Sequence, residues 1–216
     1  MGGRLQLTIH RLTTPVSETQ VRKLRVNDIL YVSGTIVTAR DQAHRRALEF
    51  AEKNMSLPVN LEGQAVFHCG PIVRKENNKW VIVAAGPTTS TRMEPFESEF
   101  IRRFKPRVII GKGGMGKETS LAMAEFGAVY GAFTGGAAVL AANSVKNVID
   151  VFWLDLGTPE AMWILEVEEL GPLIIAIDSL GSNLFHDVAS KADANRAKLF
   201  KNTELIEDSC FDDASN

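Results

Sequence analysis

Short apolar runs alternate with polar, glycine-punctuated junctions along the chain, and the alternation changes character near its middle. Over residues 1–100 the apolar runs are brief and broken by Gly, Pro and Asn, which predicts short strands and turns with one helix over 41–54. Farther on, 108–110, 128–133, 148–154 and 173–177 are strand-like, separated by helical stretches at 117–126 and 136–145. The second of these helices is rich in Ala and small enough to pack closely on a sheet. Strands alternating with helices predict an α/β fold, a sheet covered by helices, with β-rich elements supplied by the N-terminal portion. A polar helix is predicted over 187–202, so that 1–203 form one domain and the acidic 204–216 a disordered tail.

Three polar junctions interrupt this apolar pattern, each after a strand and before a helix. The richest is Gly86-Pro87-Thr88-Thr89-Ser90-Thr91-Arg92, which follows the strand-like 80–85 and sets four hydroxyls in a row against an arginine. The helix after it carries Met93, Phe96, Phe100, Ile101 and Phe104 at helical spacing, and Thr91 with Glu94 reads as a capping box. Unpaired N–H groups, hydroxyls and a guanidinium together form a cup for a small carboxylate or phosphate. The plainer alternative is that Ser and Thr cap the helix while Arg92 pairs with a surface glutamate.

A second junction, 33–46, puts Arg40 at a helix start, where the dipole disfavours a cation. That placement suggests a partner anion, or an ion pair with Asp41 or a nearby glutamate. The third, 108–119, holds Gly111-Lys112-Gly113-Gly114-Met115-Gly116-Lys117-Glu118 and nearly fits a phosphate-binding loop. Glu118 stands where a hydroxyl should coordinate Mg²⁺, and a carboxylate there repels a phosphate. Lys112 reads better as a cation for a smaller carboxylate. Convergence of Arg40, Arg92 and Lys112 would suit a dicarboxylate, whose two negative ends need more than one positive clamp.

Composition narrows the function classes. With 216 residues, 45% hydrophobic and a net charge of −2, the chain can bury a sizeable core. Its basic residues are scattered, the longest cluster being Arg22-Lys23-Leu24-Arg25, so nucleic acid is not an expected partner. No apolar run reaches membrane-spanning length and the N-terminus lacks the apolar core of a signal peptide, which predicts a soluble, cytoplasmic protein. Cys69 and Cys210 are the only cysteines and read as free thiols. His10, His44, His68 and His186 show no metal-ligand spacing, so no metal is expected on this chain.

Four ordered motifs carry a family resemblance: Ser-Gly-Thr-Ile-Val-Thr-Ala-Arg-Asp-x-Ala-His at 33–44, His-Cys-Gly-Pro-Ile-Val at 68–73, Gly-Pro-Thr-Thr-Ser-Thr-Arg-Met at 86–93 and Gly-Lys-Gly-Gly-Met at 111–115. Together they resemble the β subunit, or C-terminal domain, of iron–sulfur class I fumarate hydratases and L(+)-tartrate dehydratases. The likeness runs over about 12–184 and includes Asp-Leu-Gly-x-Pro-Glu-Ala at 155–161. It implies a three-layer swivelling β/β/α domain. It also implies a catalytic [4Fe–4S] cluster held by a partner α subunit, with one iron binding the substrate's hydroxyl and a carboxylate.

By the same resemblance, Arg40, Arg92 and Lys112 hold the carboxylates of a C4 dicarboxylate, and Thr88 is the base at the reacting carbon. A threonine hydroxyl is far too weak a base at neutral pH unless nearby cations favour its alkoxide. The 68–75 segment with Trp80 leans toward two-subunit members, assembled as a homodimerising hetero-oligomer. Fumarate hydration to L-malate is the favoured reaction for its breadth, with tartrate dehydration to oxaloacetate the alternative. Two readings of other classes stand beside these: a nucleotide-binding module using the 111–117 loop, and a non-catalytic regulatory subunit.

Overall fold

The structure is a computed structural model that describes residues 7–211 and the side chains of residues 7–200. Nine strands follow in order: β1 (Ile9–Thr13), β2 (Ile29–Thr38), β3 (Ala65–Phe67), β4 (Ile72–Glu76), β5 (Lys79–Ala84), β6 (Val108–Gly111), β7 (Val129–Ala132), β8 (Val145–Phe152) and β9 (Met162–Ile177). The helices among them are α1 (Glu18–Val21), α2 (Asp41–Glu52), α3 (Glu94–Phe104), α4 (Lys117–Phe126), α5 (Ala138–Ser144) and α6 (Leu184–Phe211). The α/β class and the β-rich N-terminal portion read from the sequence are both observed.

Seven strands form one sheet in the order β1-β2-β3-β6-β7-β9-β8, and β2 also pairs with β9. Because β9 bonds to both β7 and β2, the sheet closes on itself through β2, β3, β6, β7 and β9 into a barrel-like form. The central strands read as continuous apolar runs because both of their faces are covered. Ile36, Ala65, Phe67, Val108, Ile110 and Val129 join Trp163, Leu165 and Ile175 in one buried cluster. Their alternates Val37, Val66, Ile109 and Tyr130 are equally buried, as the two-residue period of a strand requires when helices cover the other face. Helices α2, α3 and α4 pack side by side.

β9 is the main departure from the sequence pattern, which marks only 173–177 as strand. The strand begins eleven residues earlier, at Met162. Glu166, Glu168 and Glu169 disguise it, because their side chains point to solvent while Met162, Trp163, Leu165 and Val167 are buried. The helix expected over 136–145 is a 3₁₀ turn at Gly135–Ala137 followed by α5, and Val145 already belongs to β8.

The chain divides into two compact units, Met1–Asn183 and Leu184–Asn216. The helix expected over 187–202 is α6, which begins at Leu184 and continues through Phe211, into the stretch expected as a tail. Residues 212–216 lie outside the described residues. Among the described residues no helix is long and apolar enough to cross a membrane.

Strands β2, β3, β6 and β7 are mutually parallel, with Thr38 opposite Phe67, Phe67 opposite Ile110 and Ile110 opposite Gly131. Their carboxyl ends therefore share one edge. The chain leaves that edge at Arg40, His68 and Lys112, and the carboxyl ends of parallel strands are where ligands bind in both open and closed α/β sheets.

Candidate active site at the carboxyl edge of the parallel strands

The 86–92 segment leaves β5, which belongs to a separate two-stranded hairpin with β4. The three junctions thus do not follow neighbouring strands of one sheet, as their convergence would suggest. Backbone bonds do the joining instead. Thr88 N–H donates to the His68 carbonyl at 2.6 Å, Lys112 N–H donates to the Thr88 carbonyl at 3.3 Å, and Ser90 N–H donates to the Lys112 carbonyl at 3.0 Å. These bonds lay the hydroxyl-rich segment across the ends of β3 and β6, with Thr88 half-buried and Thr89 exposed.

Arg40 occupies the N-cap position of α2. Its Nη2 lies 3.1 Å from Glu160 Oε1, and Glu160 Oε2 accepts the Gln42 N–H at 3.0 Å. The guanidinium passes over Gly70, where a Cβ would stand 2.6 Å from Nη1 and 2.7 Å from the Pro159 carbonyl oxygen. Arg40 Nε is buried and has no hydrogen-bond partner among the described residues. A buried donor without a partner is uncommon, and this one is available to an incoming acceptor.

Arg92 sits in a 3₁₀ turn, Ser90–Met93, and its Nη2 is 2.8 Å from Asp41 Oδ2. Both arginines are therefore held by carboxylates of the chain itself, Arg40 by a glutamate as its ion-pair alternative has it, and Arg92 by Asp41 rather than by a surface glutamate. Lys112 has no ion-pair partner among the described residues, and its ammonium extends toward Gly135. With Asp41 and Glu160 set against Arg40, Arg92 and Lys112, the edge keeps a surplus of positive charge.

Thr91 and Glu94 do not form a capping box. Thr91 Oγ1 donates to the Gly114 carbonyl at 3.0 Å, and the Glu94 carboxylate accepts from Gly116 N–H at 2.6 Å, Thr119 N–H at 3.4 Å and Thr119 Oγ1 at 2.8 Å. Helix α3 has Met93 at its N-cap instead, without a side-chain cap. Glu94 thus fills the N-terminus of α4, the place a phosphate would take in a nucleotide-binding loop. The glycine-rich loop is satisfied by its own chain's carboxylate, which removes the support for a nucleotide module.

Beneath the edge lies a buried polar network. His44 Nε2 is 3.3 Å and His68 Nε2 is 3.0 Å from Glu97 Oε2, and all three side chains are fully buried. His44 Nδ1 faces the Arg40 carbonyl at 2.9 Å. His68 Nδ1 faces Ser90 Oγ at 2.9 Å, and Ser90 Oγ accepts from Tyr130 OH at 2.9 Å. His44 Nδ1 and His68 Nδ1 are each engaged by a neighbour, whereas the two Nε2 atoms meet Glu97 Oε2 at ion-pair distance without hydrogen-bond geometry.

The electrostatics set the two histidines apart. Burial disfavours charge on His44, but the Glu97 carboxylate and the Arg40 carbonyl outweigh it and raise its pKa. For His68 burial prevails and the pKa is lowered. Burial would also raise Glu97, yet the two imidazoles facing it hold its carboxyl down to about 2. Burial raises Tyr130 as well, keeping its phenol a donor.

Glu97 went unnoticed in the sequence, although it stands on the apolar stripe of α3, four residues after Met93 and four before Ile101. A carboxylate at a core position is the signal that could have found it. Glu160 lies in the 155–161 motif, but nothing in its local pattern pairs it with Arg40.

His44, His68 and Glu97 are also the described group that could hold a metal ion, their ligand atoms lying within 4.8 Å of one another. An iron–sulfur cluster does not fit this chain. A [4Fe–4S] cluster needs three or four thiolates, whereas the sequence has two cysteines. Cys69 is buried, and burial, opposed only in part by Arg40, pushes its thiol up to about 12.

The family model for the fumarase C-terminus matches residues 5–188. The chain is 43% identical over 201 residues to the L(+)-tartrate dehydratase subunit beta of Escherichia coli strain K12, covering 92% of this chain and 94% of that relative. It is 46% identical over 188 residues to a putative L(+)-tartrate dehydratase subunit beta of Methanocaldococcus jannaschii, covering 87% and 94%. A putative fumarate hydratase class I of Geobacillus stearothermophilus is 39% identical over 191 residues, covering 88% of this chain but 36% of the longer relative.

Proposed function

Since the chain belongs to the fumarase C-terminus family, we propose that it supplies the substrate-carboxylate side of an active site completed by a cluster-bearing α partner. Tartrate dehydratase and class I fumarate hydratase are both hydro-lyases, and this chain is the β-type component of such an enzyme. The reaction assigned to it is the reversible hydration of fumarate to L-malate. The observation that carries the site assignment is the carboxyl edge itself, which joins Arg40, Arg92, Lys112 and Thr88 and retains net positive charge and an unpartnered Arg40 Nε.

In this reading Arg40 and Lys112 take substrate carboxylates, Arg40 offering its free Nε–H and Lys112 its unpaired ammonium. Arg92 grips the second carboxylate at the expense of its contact with Asp41. Removing the proton next to a carboxylate spreads negative charge onto that group, and fixed cations at the edge stabilise it as it forms. In the malate-to-fumarate direction Thr88, as its alkoxide, takes the proton from the carbon beside that carboxylate, the C–O bond of the neighbouring carbon breaks, and the hydroxide leaves on the partner's side of the site, where the cluster would supply a Lewis acid for it. The [4Fe–4S] cluster belongs to the partner, and the assembly is a homodimerising hetero-oligomer in the cytoplasm, in keeping with the free thiol of Cys69.

One observation favours a second substrate. The relatives that match over nearly their whole length carry the tartrate dehydratase name, which supports L(+)-tartrate as the substrate. Anaerobic reconstitution with the cluster-bearing partner decides between them by comparing fumarate hydration with oxaloacetate formation from tartrate. Thr88→Val should abolish turnover and Thr88→Ser should restore part of it. Wild-type activity in Thr88→Val or Arg92→Ala would remove these residues from the site. A complex that forms but turns over neither acid would favour a non-catalytic subunit.

A further inference from the structure

We propose that Glu97, clamped between His44 and His68, is a positioning residue that locks Arg40 and Thr88 at a fixed separation beneath the substrate-binding edge. This rests on the reading of Arg40 and Thr88 given above. Glu97 touches neither the edge nor solvent, and its carboxylate faces the two imidazoles.

Three links of the cluster end on site segments, beside the bond of His68 N–H to the Ile110 carbonyl of β6. His44 Nδ1 holds the Arg40 carbonyl at 2.9 Å, fixing the residue from which the guanidinium projects. The His68 carbonyl receives the Thr88 N–H at 2.6 Å, and its Nδ1 holds Ser90 Oγ at 2.9 Å, so both ends of the Thr88–Ser90 turn are pinned to one residue. Ser90 N–H in turn reaches the Lys112 carbonyl at 3.0 Å. One carboxylate therefore sits at the crossing of α2, the end of β3 and the turn before α3, the elements that carry Arg40 and Thr88.

Stability alone is a poor reason for such a group. Position 97 lies on the apolar stripe of α3, where a leucine would bury area without desolvating charge, and replacing buried ion pairs with well-packed apolar residues is often neutral or stabilising. A buried network of this kind trades that gain for a single geometry. Geometry is what a two-ended substrate demands, because a displacement of about 1 Å in a positioning group costs roughly 10²-fold in rate.

The test uses Glu97→Gln and Glu97→Leu in the enzyme assembled with its partner, with rates normalised to cluster content. The expected result is a rise of about 10-fold or more in KM and a loss on the order of 10²-fold in kcat/KM. Two readouts on the full chain do not depend on turnover. Amide exchange at Thr88 and at Ser90 should speed in Glu97→Leu and in Glu97→Gln, while the β6 and β7 amides stay unchanged.

A purely structural role would lower the active fraction at constant KM, and that outcome overturns the proposal. So does Thr88 exchange that stays the same in Glu97→Gln, the near-isosteric variant, which decides the matter even where Glu97→Leu does not fold. If the wild-type assembly turns over neither fumarate nor tartrate, the functional reading fails on its own. Thr88 exchange that stays the same in Glu97→Leu would then sink the clamp separately.

Discussion

A Cβ on Gly111 would collide with the Oγ of Ser90, and it would also stand 3.1 Å from the Tyr130 hydroxyl and 3.2 Å from His68 Nδ1. The last residue of β6 is thus kept without a side chain so that a hydroxyl from the facing turn can enter the sheet edge. That single approach brings the 86–92 segment within reach of the buried histidines, and it makes the main-chain bond from Ser90 to Lys112 possible.

Gly111→Ala should therefore do more than crowd a strand. The buried side chains of Ser90, Tyr130 and His68 surround it, so the Ser90 hydroxyl must give way, breaking its bonds to His68 and Tyr130. Overpacking of this kind costs about 1–3 kcal/mol, read as a lower urea midpoint at unchanged m-value. Activity of the assembled enzyme should fall with it, and a fully active, equally stable variant would contradict the packing described.

Arg92 and Asp41 separate stability from function. Their ion pair is 2.8 Å long, but the Arg92 side chain is 51% exposed, and such pairs contribute about 0–1 kcal/mol. Arg92→Ala should thus leave the unfolding midpoint nearly in place while reducing kcat/KM by on the order of 10²-fold, since a charge-assisted clamp on substrate is lost. Chemical denaturation and steady-state kinetics on the same preparation check both halves.

Lys112 gives the opposite contrast to a paired cation. Without an internal carboxylate, Lys112→Met removes a surplus positive charge and leaves no buried anion behind, so stability should be unchanged or slightly higher. Affinity for the dicarboxylate should weaken by roughly 10-fold or more, and the dependence of KM on ionic strength should flatten. Equal KM values at low salt would remove Lys112 from the binding edge.

The sequence shows these elements unevenly, for physical reasons. Helix α4 is legible because Gly116 and Gly127 bracket an uninterrupted apolar periodicity, and its bounds match those read from the pattern. β9 is hidden because three solvent-facing glutamates interrupt an apolar run whose buried residues lie on the other face. Within the site, Arg40, Arg92, Lys112 and Thr88 stand out as polar residues at strand ends. Their internal carboxylate partners do not, because Glu160 is 120 residues from Arg40 and Asp41 is 51 from Arg92, separations that only the closed sheet brings together. The Thr91–Glu94 spacing fits a capping box equally well, and a tertiary contact with the 114–119 loop overrides that local option.

The buried network also fixes how stability should vary with pH. His44 is raised above the unfolded histidine value of about 6.5, so its contribution is complete below that pH and is lost as pH rises through the raised folded value. His68 is lowered, so its contribution is complete above about 6.5 and is lost as pH falls toward the lowered folded value. Glu97, held to about 2, adds stability that is present above about 4.3 and lost as pH falls toward 2. The groups facing the two rings are Glu97 from α3 and Asp41 from α2, with Tyr130 of β7 reaching the cluster through Ser90. The histidine contributions therefore peak together near pH 6.5. In urea titrations from pH 5 to 9, the advantage of wild type over His44→Gln should shrink on the alkaline side, and its advantage over His68→Gln should shrink on the acid side. An advantage over His44→Gln that grew with pH would mean that His44 is buried neutral, and the charge on Glu97 would then need another partner.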